Sequence, residues 1–411
     1  MIDVAIAGAG IGGLAAALSL AKAGLSVRLF ESVREIRPLG VGINLLPHSV
    51  RHLFELGLQP ALDATGIRTS ELRYTTKRGA TIWREPRGLD AGYRWPQFSI
   101  HRGRLQELLL AAVRDRLGTN AVLLDHAATS VETRADRAIL TAGDETIEAR
   151  LVVAADGIHS ALRARHHPDE GPPIWNGAIL WRATTEAVPF LDGRTMCMCG
   201  HEKQKFVCYP ITPAGSDSRA TINWIAERRF PTDRAWRRED WNRSGDLKEF
   251  LPHFAGWRFP WLDVPALIEG AAAVYEYPMV DREPLPRWTF GRMTLLGDAA
   301  HPMYPIGSNG ASQAILDARA LAGATMRHGP TPEALSAYET ERRPKTSGIV
   351  LANRRNGPEQ VMQIVEERAP DGFTELSAII SHDELAGIAS TYKKLAGFDP
   401  AILNAEPDLY R

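Results

Sequence analysis

The chain has 411 residues, 44% hydrophobic and 24% charged, an ordinary globular composition with ample material for a core. A net charge of −1 and an isoelectric point near 6.9 exclude a global field for nucleic acid or an anionic membrane. No apolar run approaches the ~20 residues that span a bilayer, and a strand pattern begins at once, so a cytoplasmic protein without a signal segment is expected.

Asp3 to Ala7 is a short apolar run of buried-strand type. Gly8-Ala9-Gly10-Ile11-Gly12-Gly13 follows, then an Ala/Leu-rich helical stretch ending near Gly24. Val27 to Phe30 supplies a second strand, closed by Glu31. This is GxGxxG between strand and helix, with an acid about twenty residues on. Gly8 permits the tight turn, Gly10 lets the backbone approach a pyrophosphate, and Gly13 lets helix and strand pack closely. Ile11 and Gly12 open the helix, whose unpaired N–H groups face the phosphates, and Glu31 accepts hydrogen bonds from ribose hydroxyls. The unit does not by itself separate FAD from NAD, and no second GxGxxG follows.

Arg37 to Asn44 is a Gly/Pro-punctuated loop, and Val50, Leu53, Phe54 and Leu56 then recur at helical spacing before Gly57. His48, at the start of that helix, reads as a surface or capping histidine. Glu71–Tyr74 and Thr81–Trp83 read as strands flanking an Arg78-Gly79 turn. Gln97–Ile100 leads into a helix that opens at His101 to Gln106 and runs towards Leu117. Arg102 and Arg104 are badly placed at a helix start unless they meet an anion, and Arg102 is the favoured partner of a pyrophosphate or flavin. Val122–Leu124 and Ser130–Glu132 suggest a strand pair, with a backbone contact to adenine near Ala128.

Leu151 to Ala155 is a strand, followed by Asp156-Gly157-Ile158-His159-Ser160-Ala161-Leu162-Arg163. The stretch from Trp175 to Val280 is rich in strand-like segments: Ile179–Trp181, Phe206–Tyr209 and Thr221–Ile225. Residues two apart on a strand share a face, so Ile179 and Trp181 point together. Cys197, Cys199 and Cys208 lack zinc spacing and read as strand thiols; no metal is expected. Trp236, Trp241, Trp257 and Trp261 fall in a polar, helix-like region and read as packing residues. A short apolar run, Met293 to Leu296, precedes Gly297-Asp298-Ala299-Ala300-His301-Pro302, and Pro305 to Gly310 leads into a long helix.

The trio of Gly8–Gly13, Ala155–Arg163 and Gly297–Gly310 resembles the single-component FAD-dependent aromatic hydroxylases, relatives of 4-hydroxybenzoate and salicylate hydroxylases. The resemblance extends to about Asn353. Within the family the chain is most similar to the type that oxygenates 5-methylphenazine-1-carboxylate, through Ile36–Asn44, Glu71–Tyr74, Glu85–Gly88, Tyr277–Arg282 and Asn309–Asp317.

The resemblance implies an α/β fold: a Rossmann-like FAD-binding domain of glutathione-reductase type over 1–70, 101–170 and 281–355. It further implies an inserted mixed β-sheet substrate domain over 71–100 and 171–280, and a helical tail over 356–411. FAD would be bound by Gly42 and Ile43 at the ring's pyrimidine edge, and by Arg102, Asp156, Gly157, Arg163 and Gly297. Asp298 would hold the ribityl or ribose hydroxyls. Pro305 would set a carbonyl at the reacting face, with Gly307, Ser308, Asn309 and Gly310 donating N–H groups to the ring oxygens. His301 orders this loop rather than moving protons.

Trp181, Tyr209, Trp224 and Tyr304 are the expected walls of a slot for a flat aromatic substrate. The implied reaction consumes NAD(P)H, with NADH favoured, and O2, and inserts oxygen from a flavin C4a-hydroperoxide into a phenazine-like ring. The same scaffold would also suit an FAD reductase, a Baeyer–Villiger-type oxygenase or a non-catalytic flavin sensor. A monomer or homodimer is expected, with the tail packed on the enzyme or dimerising it.

Overall fold

The computed structural model describes residues 1–38, 40–231 and 243–411. The apolar run that opens the chain, Ile2–Ala7, lies in the middle of an eight-stranded sheet. Its neighbours run parallel to it in the order Met293–Leu295, Glu145–Ala154, Ile2–Ala7, Val27–Phe30 and Val122–Leu123. Parallel strands covered on both faces need near-continuous apolar sequence, and Val4 to Ala7 are at most 1% exposed. The helices Ile11–Lys22, Arg102–Leu117 and Gly310–His328 contribute to the same core. The expected pairing of Val122–Leu124 with Ser130–Glu132 is not formed. Val122–Leu123 extends the parallel sheet beside Val27–Phe30, whereas Ala128–Thr133 pairs with Ala138–Ala142.

A second, seven-stranded sheet has the order Tyr275–Asp281, Ile174–Ala187, Ala220–Arg229, Gln204–Pro210, Thr195–His201, Glu71–Thr75, Thr81–Pro86. All its pairs are antiparallel except Thr195–His201 with Glu71–Thr75. Both faces are buried. One packs on helices Leu247–Phe254 and Val264–Glu269 and holds the three thiols; the other turns towards the first sheet's loops. Trp257 precedes the two-stranded turn Arg258–Phe259/Leu262–Asp263 and Trp261 lies within it, neither in a helix, and they pack on Phe254 and Phe259. Trp236 and Trp241 lie outside the described residues. A small third sheet has the order Gly42–Leu45, Gln97–His101, Ile67–Thr69.

Helix Pro332–Asn353 runs on through Pro344, because Tyr338, Arg342, Thr346 and Ile349 anchor the turns on either side in the core. The tail then folds back on its own chain. Buried Lys205 lies 2.9 Å from Glu227 and also pairs with Glu359 at the start of the tail, while Arg51 pairs with Glu406 near its end. Among the described residues no helix is long and apolar enough to cross a membrane. Removing one member of a buried ion cluster strands the other charges. Lys205→Met is therefore expected to destabilise the protein by about 3–5 kcal/mol in denaturant unfolding, and an unchanged midpoint would contradict the tail's anchoring role.

Candidate active site

The three sequence signatures converge because they follow the aligned ends of three adjacent parallel strands, where Ala7 pairs with Ala154 and Ala154 with Leu295. Gly8 has a φ of +98°, and a Cβ there would come within 2.8 Å of the Ala155 carbonyl carbon and 3.1 Å of Asp156 Cα. A Cβ on Gly12 would lie 2.9 Å from Leu296 Cδ2, and Gly13 packs against the Gly8 carbonyl. Gly10 differs: a Cβ there meets no protein atom within 4 Å, so this face of the turn is open. Helix Ile11–Lys22 has no side-chain cap, which leaves its first N–H groups to the same opening. Glu31 stands at the rim, accepting the Ala9 N–H at 2.7 Å and the Val33 N–H at 3.1 Å.

Across the opening, the His101 side chain caps helix Arg102–Leu117 through the Gly103 N–H at 3.1 Å. Arg104 pairs with Glu107 at 2.9 Å, whereas Arg102 is exposed and forms no ion pair among the described residues. Asp298 makes no hydrogen bond with a described residue. It is reached by solvent although protein surrounds it closely, as on the floor of a cleft. Burial raises its carboxyl above the ordinary range, partly offset by the charges of His301 and Arg102. Asp156 accepts the Leu162 N–H at 3.4 Å, and Gly157, at φ +81°, turns the chain into the Ser160-capped helix Ala161–His166. Ala128 lies two residues beyond His126, whose N–H donates to the Glu31 carbonyl at 2.8 Å.

Arg163 does not reach the cleft. Its buried guanidinium pairs with Glu170 and donates to the carbonyls of Ala299 and Ala300 at 3.0 and 3.1 Å. It braces the Gly297 turn from behind. From the other side the turn is held by Asp317, a fully buried acid that the sequence reading did not single out. Asp317 Oδ2 accepts the Gly297 N–H at 3.0 Å and lies 2.6 Å from His301 Nε2; Oδ1 accepts Arg342 Nε at 2.7 Å. Burial alone would raise the Asp317 carboxyl, but His301 and Arg342 outweigh it and hold it below its ordinary value. His301 orders the loop, as its sequence position implied.

Arg342 also donates to Gln313 Oε1 at 2.6 Å, and Gln313 lies 3.4 Å from His48 Nε2. His48 is thus a core residue and not a surface cap: burial, with the nearby Arg342 charge, lowers its pKa to about 3.

The Pro305–Gly310 segment is a tight turn, with Gly307 at φ +67° and Ser308 at φ +57°. The tail holds it in place. A Cβ on Gly307 would run into the Tyr392 ring and hydroxyl, and that hydroxyl accepts Asn309 Nδ2 at 2.7 Å and donates to Asn353 Oδ1 at 2.8 Å. Asn309 is therefore fully buried and acts by positioning the turn. Helix Gly310–His328 has no side-chain cap, so its first N–H groups are unpaired.

Opposite this turn, Gly42 meets the second sheet. Its N–H donates to Asn223 Oδ1 at 2.6 Å and its carbonyl accepts Arg182 Nη2 at 3.1 Å, while Ile43 pairs with Ile100. A Cβ on Gly42 would lie 2.8 Å from Tyr209 Cε2. Tyr209 and Arg182 thus share the face that looks at the turn, and Tyr304 packs there with Leu180 and Met279. Trp181 and Trp224 do not. Tyr209 pairs across the ladder with Asn223, which puts Trp224 on the opposite face. There its Nε1 donates to Thr185 Oγ1 at 3.0 Å, and Trp181 stacks on Phe250 at 4.7 Å. Both are core residues, and Arg182 and Asn223 are the neighbours that face Gly42 instead.

Asp317→Ala removes the acceptor of three donors and leaves Arg342 buried without its carboxylate. A loss of about 3–5 kcal/mol is expected in chemical denaturation; a variant as stable as wild type would show that the turn is held otherwise.

Three comparisons bear on this arrangement. The FAD binding domain family matches residues 1–352. The chain is 48% identical over 390 residues to phenazine 1,6-dicarboxylic acid hydroxylase PhzS of Lysobacter antibioticus, covering 92% of this chain and 95% of that protein. It is 34% identical to 3-amino-4-hydroxybenzoate 2-monooxygenase PtnB3 of Streptomyces platensis, over 87% of this chain and 88% of the relative. A solved salicylate hydroxylase substrate complex superposes with a TM-score of 0.76 at 22% identity, covering 100% of this chain and 98% of the other, a likeness of fold. With the family matched across both sheets and nearly half the residues shared with a phenazine hydroxylase, the chain belongs to the FAD-dependent aromatic monooxygenases.

Proposed function

We propose that this enzyme uses NAD(P)H, with NADH favoured, and O2 to hydroxylate a flat N-heteroaromatic acid of the phenazine type. The observation that carries the reading is the cleft itself. It combines an open glycine turn with an arginine and a carboxylate that have no partner among the described residues, and the tight Pro305–Gly310 turn stands across from an aromatic sheet face. The identity to a phenazine hydroxylase supports the substrate class.

The residues fit FAD. The open face at Gly10 and the uncapped helix start suit the pyrophosphate, Arg102 adds a cation, and Glu31 suits ribose hydroxyls. Ala128 and Gly157 would lie towards the adenosine end, and Asp298 suits the ribityl hydroxyls. Gly42 contributes closeness of approach and not hydrogen bonds, since both its backbone groups already have partners. The Pro305 carbonyl, which also accepts the Ser308 N–H at 3.3 Å, and the backbone of Gly307 and Gly310 would border the ring.

When bound, FAD supplies hydride acceptance from NAD(P)H and the transfer of one oxygen atom from O2 to the substrate ring. The chain's own part is to position and to exclude water. Tyr209, Leu180 and Tyr304 would wall the substrate side of the ring, and free N–H groups of the turn would stabilise negative charge on the ring oxygens.

Two experiments test this. Asp298→Ala is expected to weaken FAD binding by about 10- to 100-fold, the effect of a lost charge-assisted hydrogen bond, read as the flavin-to-protein absorbance ratio and by flavin titration. A fully yellow variant of wild-type affinity contradicts the assignment. NADH oxidation is expected to rise on adding phenazine-1-carboxylate, with one atom of isotopically labelled oxygen in the product. Oxidation indifferent to every aromatic acid, or a product without label, contradicts hydroxylation.

A further inference from the structure

One cation on the cleft face of the second sheet lacks what its counterparts elsewhere have. Arg51, Arg163, Lys205 and Arg342 each rest on a carboxylate of the chain: Glu55, Glu170, Glu227 and Asp317 in turn. Arg182 forms no ion pair among the described residues, and no carboxylate is among the groups whose charge acts on it. Burial lowers its pKa; the hydroxyls of Tyr209 and Tyr277 oppose this, and the Arg102 charge adds to it. A guanidinium nonetheless stays charged inside a protein, and a charge held away from water needs an opposite one beside it.

Its surroundings suit a flat ring. On the sheet Arg182 pairs with Ile225 on one side and Tyr275 on the other, and Leu180, two residues earlier, shares its face. Its side chain converges with Tyr209 on Gly42, whose carbonyl accepts Nη2 at 3.1 Å. That uses one of the five N–H groups of a guanidinium, and the buried Nε has no hydrogen-bond partner among the described residues. Solvent reaches part of the side chain although protein packs closely around it, so it stands in the wall of the cleft and not in a closed cavity. A planar fork with unused donors takes a carboxylate through two parallel hydrogen bonds. Arg102, the other cleft cation without an ion pair among the described residues, is assigned to the pyrophosphate, which leaves Arg182 for a second anion.

We infer that Arg182 anchors the substrate's carboxylate, while the ring lies on the sheet face formed by Tyr209, Leu180 and Ile225. The inference rests on the proposed function and adds to it the residue that selects an acid over a neutral ring. The same guanidinium holds the Gly42 carbonyl, so a bound acid is fixed relative to the strand proposed to border the flavin ring. An arginine serves here better than a lysine, because its rigid fork sets the orientation of the acid and with it the ring atom presented for reaction.

The test is an equilibrium titration of the FAD-loaded protein, followed by flavin absorbance, with phenazine-1-carboxylate and with the uncharged phenazine-1-carboxamide. Wild type is expected to bind the acid about 10- to 100-fold more tightly than the amide, the effect of a charge-assisted contact. Arg182→Gln is expected to bind the two alike, with amide binding and FAD content at wild-type levels, and Arg182→Lys to keep the preference. Arg182→Met retains the length of the side chain and carries the same test if the Gln variant does not load FAD. Asn223→Ala removes the other hold on Gly42 and is expected to keep the preference. A preference that survives in the Gln or Met variant, is lost in Arg182→Lys or Asn223→Ala, or is absent from wild type overturns the anchor. So does equal weakening of both ligands in Arg182→Gln, which shows that the residue acts through Gly42 alone. Wild-type protein that binds neither ligand overturns the proposed function as well; wild-type binding without these differences overturns the anchor only.

Discussion

The arrangement depends on one buried carboxylate. Asp317 accepts from the Gly297 backbone, from Arg342 and from the side of His301, and so fixes where the last strand of the parallel sheet hands over to the long Gly310 helix. A charge in that position is tolerable only with its partners in place. This makes the geometry nearly all-or-none: either the turn, the helix and Arg342 are assembled together, or the acid is left exposed to an apolar core. Asp298 follows directly on the Gly297 backbone that these bonds hold, and the turn beyond it inherits its position.

A second constraint acts on that turn from outside the first 355 residues. Gly307 is pressed against Tyr392, and Asn309 is buried to reach the same hydroxyl. The tail is thereby a structural part of the cleft and not an appendage, anchored at its start by Lys205 and near its end by Arg51. A rigid frame of this sort suits chemistry in which the protein contributes placement and exclusion of water more than proton transfer.

Much of this was legible in the sequence. The glycine turn, the Asp156-Gly157 corner and the Gly297–Gly310 segment each join a continuous apolar strand to a helix, and such junctions declare themselves through glycine and acid at fixed spacing. Strand phase in the second sheet was not legible. From Ala178 to Ala183 nearly every residue is buried, because helices cover one face and the flavin-side loops the other. Period-two alternation then carries no polar contrast, and tryptophans, the natural guess for an aromatic slot, proved to be the core of the far face. Arg182 was the available clue: a lone cation within that apolar run has to find a partner, and it finds Gly42.

Asp317, Arg342 and the tail were hidden for a different reason, since their partners are distant in sequence and no spacing rule links them. Arg163 illustrates the converse. Its place in a recognisable motif suggested a ligand contact, yet its guanidinium is fully occupied by Glu170 and two carbonyls of the turn.

The most direct test of the central claim is a crystal structure of the FAD-loaded protein with an aromatic acid bound. The account predicts Arg102 at the pyrophosphate, Asp298 on the ribityl hydroxyls, and the flavin ring between Gly42 and the Gly307 turn with the substrate against Tyr209. A flavin ring lying outside that gap, or a ribityl chain with no contact to Asp298, would contradict it.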